Sequence, residues 1–239
     1  LQFYIPAVSG LHYDYAPTLS GYFEAFDGGT GPLSIFAQRN PIYLIGGGSG
    51  AAVNVSLGGT FKVSVGYMAD NSDNDIINNP ITFAANLPTD KNGLFNGSYA
   101  ALGQIAFDNG KFGVGLTYVN AYRRGAIFDG GSGAPSSGTL FANGGFLNAV
   151  GAVNPTKFST RVNAYGASGY LKLGSNISIN AFGAFVDADD VGDGFGSADI
   201  WTFGGGIAFA DFGKKGNLLG LFAGVEPYVG NPGAYGLAG

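Results

Sequence analysis

The sequence is poor in charged residues. Asp, Glu, Lys and Arg together make up 11% of its 239 residues, whereas soluble domains average about 25%. The few charges are mostly acidic, because 16 carboxylates outnumber 11 Lys and Arg and the net charge is −5. Nucleic-acid binding requires clustered Lys and Arg, so we predict no nucleic-acid partner. A surface with so little charge is not typical of a protein surrounded only by water.

Cysteine is absent, and His12 is the single histidine. This excludes disulfide scaffolds and cysteine metal sites, and it leaves Ser-His-Asp, zinc and Cys-His arrangements almost no residues to use. The two glutamates, Glu24 and Glu226, form no recognisable glycosidase pair. The run GGGSGA at 46–51 lacks the Lys-Ser/Thr end of a phosphate loop and predicts a glycine-rich strand bend. We predict no enzyme activity and no cofactor.

Long apolar runs are also missing. No stretch of about 18 apolar residues predicts a membrane-spanning helix, and no segment has the pattern of a signal peptide. Helical periodicity is rare because 44 glycines interrupt the chain. Because the sequence starts at Leu1, we expect a processed or truncated N-terminus.

Two-residue alternation is the main pattern that is present. In KFGVGLTYVNAY, apolar side chains occupy one parity from Phe112 to Tyr118, and Lys, Gly and Thr occupy the other. The pattern recurs in pairs joined by short turns, for example AAVNVSL and TFKVSVGYM around Gly58-Gly59, which predicts four hairpins. Long segments rich in Asn, Asp, Gly, Ser and Pro separate the hairpins, at about 69–97, 121–160 and 187–198.

Alternation of short turns with long loops is the plan of an outer-membrane β-barrel. We therefore predict an all-β fold, an antiparallel up-and-down transmembrane barrel, with segments close to the 9–11 residues that a tilted spanning strand needs. The apolar parity would face lipid at Val63, Val65, Phe112, Val114, Leu116, Leu219 and Leu221, and the small polar parity would face a watery lumen. Aromatic girdles at the membrane interfaces would contain Tyr43, Tyr67, Tyr99, Tyr118, Trp201, Phe209 and Tyr228.

Charges inside the strands agree with this assignment, because Lys62, Lys172 and Glu226 all fall on the less apolar parity. A Lys or Arg on the lipid side would cost about 2–4 kcal/mol at the membrane midplane. The alternative is a soluble or surface-attached extracellular β-protein, an adhesin or polysaccharide-binding module. It would also show alternation and hairpins, but with these apolar residues in its core.

Several stretches carry a family resemblance: AQRNPIYLIGGGSGAAVNVSL, VGYMADNS, GLFNGSYAALGQIAFDNGKFGVGLTYVNAY and SADIWTFGGGIAFADFGKKGNLLGLFAGVEPYV. Together they resemble the cyanobacterial outer-membrane porins, which are related to the OprB-like carbohydrate-selective porins and are also called iron-uptake porins. The resemblance covers about 38–229 and is most specific in the last stretch. It is least recognisable at 123–160.

The resemblance implies a barrel of about 16 strands in the full protein, a homotrimer in the outer membrane, and passive passage of inorganic ions, iron among them, and small organic solutes. It also implies an N-terminal surface-layer-homology domain that binds cell-wall polymer, followed by a coiled coil. Neither is in this sequence, so we expect residues 1–239 to be the C-terminal part of the barrel domain, with about 8–10 strands.

Two groups of charged residues are candidate sites. The candidates for the pore lining are Arg39, Arg123, Arg124 and Arg161, together with Lys62, Lys172 and Glu226, because porins fold a long loop inward and charges at the narrowing set ion selectivity. The alternative for the arginines is that they anchor strand ends at the polar rim. Asp187, Asp189, Asp190 and Asp193 begin like a calcium loop, but Val191 occupies a ligand position and no Glu closes it. The simplest interpretation of this second group is a solvated acidic loop, and we predict no metal site. The alternatives are that these carboxylates bridge divalent ions at the cell surface or enrich cations at the pore mouth.

Overall fold

A computed structural model describes residues 1–5, 10–20, 39–69, 97–124, 126–130, 136–139, 141–143, 160–191 and 197–231. These residues form one antiparallel sheet of nine strands, each paired with its neighbours in sequence. The all-β prediction and the estimate of eight to ten strands are therefore confirmed. The strands are β1 Gln2–Tyr4, β2 Ser49–Leu57, β3 Phe61–Ala69, β4 Tyr99–Asp108, β5 Phe112–Arg123, β6 Thr160–Lys172, β7 Ile177–Asp190, β8 Ser197–Ala210 and β9 Leu218–Asn231.

The predicted hairpins form where the turn residues require them. Gly58 and Gly59 have φ values of 62° and 81°, the left-handed conformation that a two-residue turn with the twist of a hairpin needs. Between β4 and β5, Asn109 Oδ1 accepts hydrogen bonds from the backbone of Lys111 and Phe112 at 2.9 and 2.8 Å. Local side-chain bonds of this kind reverse the chain without help from the rest of the protein.

Two sequence-based boundaries are wrong. The predicted loop at about 187–198 is shorter, because β7 continues to Asp190 and β8 begins at Ser197. Asp187 and Asp189 are thus paired strand residues, opposite Asp199 and Ser197 of β8. Among the described residues, none of the helices is both long and apolar enough to span a membrane.

The two faces of the sheet differ as the alternation predicts. On β5, Phe112, Val114, Leu116 and Tyr118 are exposed, whereas the residues between them are buried. We call the face that carries Leu116 the outer face. The opposite face, which carries Thr117, is the inner face.

The inner face is covered by other parts of the same chain. Segments 10–20 and 40–48, with residues 126–130 and 141–143, supply nine of the 21 buried residues of the core cluster on this face, and the strands supply the other 12. The expectation of open water beside Gly113, Gly115 and Thr117 is wrong: Leu19 packs over both glycines, and Thr117 is 5% exposed. Small residues on this face make room for packed chain, because Leu19 reaches within 3.1 Å of where a Cβ of Gly115 would lie.

Candidate functional site

The middle of the outer face is an exposed apolar band. Val65, Leu116 and Leu221 are 54%, 65% and 59% exposed. Val63 and Leu219 share this face and are half-buried by their neighbours. All seven residues predicted to face lipid therefore lie on the outer face. A continuous bare apolar surface of this kind marks contact with a membrane or a protein partner.

Aromatic side chains border the band on both sides. Near the long-loop ends, Tyr118, Tyr165, Phe185 and Trp201 follow one another across β5–β8 with ring centroids 4.7–6.5 Å apart. Near the short turns, Phe61, Phe107 and Phe112 form a second row at 5.0 and 5.1 Å. Two such rows are the arrangement of the interfacial girdles of outer-membrane barrels. Tyr43, which we had predicted for a girdle, lies instead inside the protein at 1% exposure.

The charges on the described outer face lie at the long-loop ends of the strands. One row of paired polar residues crosses β5–β8 and consists of Asn120, Asn163, Asp187 and Asp199. Within it, Asn120 Nδ2 donates to Asn163 Oδ1 at 3.0 Å. Arg161, opposite Asp189, lies one step closer to the loops. This placement corrects the prediction that Arg161 lines the pore, because it shares the parity of Tyr165 and Leu171 and is exposed on the outer face.

Arg123 also departs from its predicted role in the pore lining. Its side chain is fully buried, and its Nη2 lies 2.5 Å from Oδ2 of Asp129, which is also fully buried. The same guanidinium donates to the carbonyl oxygen of Ala126 at 3.4 Å. A Cβ on Gly46 would lie 3.1 Å from Nη1, so Arg123 joins the end of β5 to two inward segments. It holds loops in place rather than presenting charge to a solute.

His12 lies in the same buried region. It is 0% exposed, and its Nδ1 lies 2.7 Å from the hydroxyl of Tyr15. Burial lowers the pKa of His12 to about 4, and the positive charge of Arg123 acts in the same direction. The imidazole is therefore neutral at pH 7 and packs as a core side chain. Burial likewise raises the pKa of the Tyr15 phenol, which stays protonated.

Three amide side chains connect the covering segments to the sheet. Gln104 of β4 donates to the carbonyl oxygen of Pro17 at 2.8 Å, Asn54 of β2 donates to that of Tyr15 at 2.8 Å, and Asn40 donates to that of Gly183 in β7 at 3.1 Å. Sequence analysis missed these residues. For Asn54 and Gln104 the available signal was a polar amide on the inner parity of strands that otherwise carry small residues there. Asn40 precedes the 3-10 turn at Pro41–Leu44 and has no such signal.

A polar patch remains on the inner face near the short turns. Lys62 Nζ lies 3.6 Å from Oδ2 of Asp108, and the Tyr170 hydroxyl donates to Oδ1 of the same carboxylate at 2.7 Å. Lys172 follows two residues after Tyr170 and shares its face. Lys62 and Lys172 are both partly exposed. The structure thus brings Lys62 and Lys172 to the same end of the inner face, as the parity rule predicts.

The other candidates lie apart from this patch. Arg39 lies over the ring of Tyr13, with Cζ 4.4 Å from the centroid, and Arg124 lies over Tyr122 at 5.7 Å. Glu226 is exposed in a β-bulge of β9, where it and Pro227 together oppose Thr202. These three charges and the polar patch do not form a single cluster.

A metal site finds no support in the described part of the chain, where no three His, Asp or Glu residues lie close enough to hold an ion. Asp187 and Asp189 share the outer face. Asp190 ends β7, and Asp193 lies outside the described residues.

Comparison with known protein families matches residues 5–238 to the carbohydrate-selective porin, OprB family. The chain belongs to the OprB family. An uncharacterized protein of Nostoc sp. is 38% identical over 95% of this chain, and one of Synechocystis sp. is 32% identical over 88%. The match covers 38% of the length of each relative. No solved structure matches significantly.

Membership in the OprB family confirms the porin resemblance noted in the sequence. The family consists of outer-membrane porins, which are channels and not enzymes, and both cyanobacterial relatives agree with the source that the resemblance implied. The exposed outer band and the aromatic rows are the surface that a porin wall requires. The described sheet is an open one, because β1 and β9 each have one paired neighbour among the described residues.

Proposed function

We propose that this chain forms part of the wall of a water-filled outer-membrane channel, through which small hydrophilic solutes diffuse passively. The observation that carries the proposal is the outer face, where exposed Val65, Leu116 and Leu221 lie between two aromatic rows. Lipid favours such a surface, and water does not.

A membrane wall of this kind must be a closed barrel, because unpaired strand edges cannot be satisfied in hydrocarbon. Further strands would join at β1 and β9, to give a complete barrel of about 16. Residues outside these 239 would supply those strands. The homotrimer and the attachment to cell-wall polymer through an N-terminal domain belong to the same proposal for the whole protein.

The solutes we propose are inorganic ions, iron among them, and small carbohydrates. Of the pore-lining candidates, Lys62, Lys172 and Glu226 would meet passing solute, because they are partly or fully exposed away from the apolar band. Lys62 is paired with Asp108, so Lys172 would contribute most of the unbalanced positive charge. Arg39 would lie beside the inward segment that contains Tyr13. Arg124 is left out of this proposal, because it lies over Tyr122, which is opposite Arg161 on the outer face.

An adhesin or polysaccharide-binding module is the alternative. It requires the apolar residues of the outer face to be buried against a second layer, as in a sandwich. The exposure of Leu116 and of its neighbours on β5 is against that arrangement.

The test is conductance of the full-length protein, purified in detergent and inserted in a planar bilayer. We expect discrete steps in KCl, and a change in reversal potential under a KCl gradient when Lys172→Glu reverses one lining charge. Lys214→Glu, in the exposed turn between β8 and β9, is the control for a change in total charge alone. If the folded protein inserts into the bilayer but no conductance is recorded, the channel is rejected and the surface-binding module is favoured.

A further inference from the structure

We propose that Asn40, Asn54 and Gln104 are positioning residues that hold the inward segments 10–20 and 40–48 as a fixed narrowing of the channel. The inference rests on the proposed channel function. The function requires the inward chain to stay in one place, because the width left beside it decides which solutes pass.

Gln104 is the central connection. Its Nε2 lies 2.8 Å from the Pro17 carbonyl oxygen, 2.7 Å from the Tyr43 hydroxyl and 3.0 Å from Thr117 Oγ1. Pro17 and Tyr43 belong to the two different inward segments, and Thr117 belongs to β5. The Tyr43 hydroxyl also donates to the Pro17 carbonyl oxygen at 3.2 Å. One amide on β4 therefore binds both segments to each other and to the wall.

Asn54 makes the second connection, on β2. Its Nδ2 donates to the Tyr15 carbonyl oxygen at 2.8 Å and to Ser64 Oγ of β3 at 3.0 Å. The ring of Tyr15 then lies across Gly66, where a Cβ would come within 2.3 Å of Cζ. Backbone and side chain of Tyr15 are thus both fixed against the same pair of strands.

Asn40 makes the third connection. Here the donor belongs to the segment and the acceptors belong to the wall. Its Nδ2 lies 3.1 Å from the carbonyl oxygen of Gly183 in β7 and 3.4 Å from Ser168 Oγ of β6. Its Oδ1 accepts the backbone N–H of Ile42 at 3.2 Å, which begins the 3-10 turn at Pro41–Leu44. The three connections therefore reach β2, β4 and β6–β7.

These amides attach the segments, and Asn54 and Gln104 each also bond to a neighbouring strand, at Ser64 and Thr117. The sheet itself is held by backbone hydrogen bonds between its strands. Asn40, Asn54 and Gln104 are each at most 7% exposed. Loss of Asn54 leaves the Tyr15 carbonyl oxygen without this donor, and loss of Gln104 leaves the Pro17 carbonyl oxygen with the Tyr43 hydroxyl alone. Loss of Asn40 removes the bonds from the second segment to β6 and β7. Each loss favours release of a segment into water.

The test uses a thiol reporter, since the chain contains no cysteine. Ala16→Cys places a thiol on the first segment at a position that is 2% exposed. We expect its labelling by a charged methanethiosulfonate to be slow in the parent, and at least ten times faster when Gln104→Met or Asn54→Leu is added. Thr202→Val is the matched control, because it removes a buried hydroxyl that bonds only within the wall, to the carbonyl oxygen of Val225.

Equal labelling rates in the parent and in both amide variants would overturn the proposal, as would fast labelling in the parent. Heat-modifiable gel mobility checks that each variant is folded. If Gln104→Met does not fold, Tyr43→Phe removes the hydroxyl that Gln104 contacts while it keeps the ring. Bilayer recording of the same variants should show larger or noisier steps. If the amide variants label faster but neither they nor the parent conduct in bilayers, the channel function is rejected and the positioning role is retained.

Discussion

Arg123 and Asp129 form an ion pair at 2.5 Å in which neither side chain contacts solvent. The pair joins the last residue of β5 to the loop that follows, and it lies beside Gly46 of another inward segment. An arginine at the end of a predicted barrel strand is here a structural anchor. The partner that neutralises it, Asp129, is only six residues away in sequence.

We predict that Asp129→Asn destabilises the protein by about 3–5 kcal/mol, because it leaves a buried guanidinium without a counter-charge. Urea unfolding of the protein in lipid vesicles measures this. Asp108→Asn is the control: it breaks the partly exposed pair with Lys62, and pairs of that kind are worth about 0–1 kcal/mol. Equal effects of the two changes would contradict the burial argument.

Stability should also decline in acid through His12. Its folded pKa of about 4 lies below the ordinary value of 6.5, so the unfolded chain binds a proton first as pH falls. The free energy of unfolding is therefore unaffected by His12 above pH 6.5. It declines as pH falls from 6.5 toward about 4, by roughly 3 kcal/mol in total.

The free energy of unfolding is measured against pH for the parent and for His12→Asn. This substitution removes the histidine titration and leaves all carboxylates, so the difference between the two curves is the effect of His12. Because the chain has a single histidine, one imidazole signal in a proton NMR titration gives its pKa without assignment. A midpoint near 6.5 would show that the ring is not desolvated as the structure has it.

A charge in the outer band should be costly. Leu116→Lys places an ammonium group on a side chain that is 65% exposed, and in a bilayer this costs about 2–4 kcal/mol. The control is Asn163→Lys, on the polar row near the long loops, where about 0–1 kcal/mol is expected. Unfolding in lipid vesicles gives both values. If Leu116→Lys leaves the free energy of unfolding unchanged, the band faces water.

Gly66 should not tolerate a methyl group. A Cβ at Gly66 would lie within 2.3 Å of Tyr15 Cζ, whereas nothing lies within 4 Å of one at Gly103 on the next strand. We predict that Gly66→Ala costs about 1–3 kcal/mol by overpacking, and that Gly103→Ala changes the unfolding free energy little. Addition of Tyr15→Leu should restore much of the loss in Gly66→Ala. Failure of that rescue would indicate that Tyr15 does not lie over Gly66.

The exposed apolar face could be predicted from the sequence because it depends on a two-residue period. Phe112 and Leu116 share a side of β5 whatever lies around them. The hairpins could be predicted for a similar reason, since the turn at Gly58-Gly59 needs only residues that adopt positive φ. Boundaries were less certain where strand residues are polar, as at Asp187 and Asp189.

The inner face could not be predicted in the same way. Small residues such as Gly113 and Gly115 suit a watery lumen and a packed segment equally well, and the choice depends on Leu19, which is more than 90 residues away in sequence. The pore-lining prediction for Arg123 and the girdle prediction for Tyr43 are wrong for this reason. A charged or aromatic residue at a strand end carries no local sign of what will cover it.

Strand order, hairpins and the outward-facing apolar side chains can all be inferred from local sequence. Each of these follows from contacts between neighbours along the chain or from the alternation of one strand. That two early segments lie against the inner face, and that Asn40, Asn54 and Gln104 contact the wall there, emerges only when the chain is folded. Such contacts join residues up to 143 positions apart, and no periodicity in the sequence encodes them.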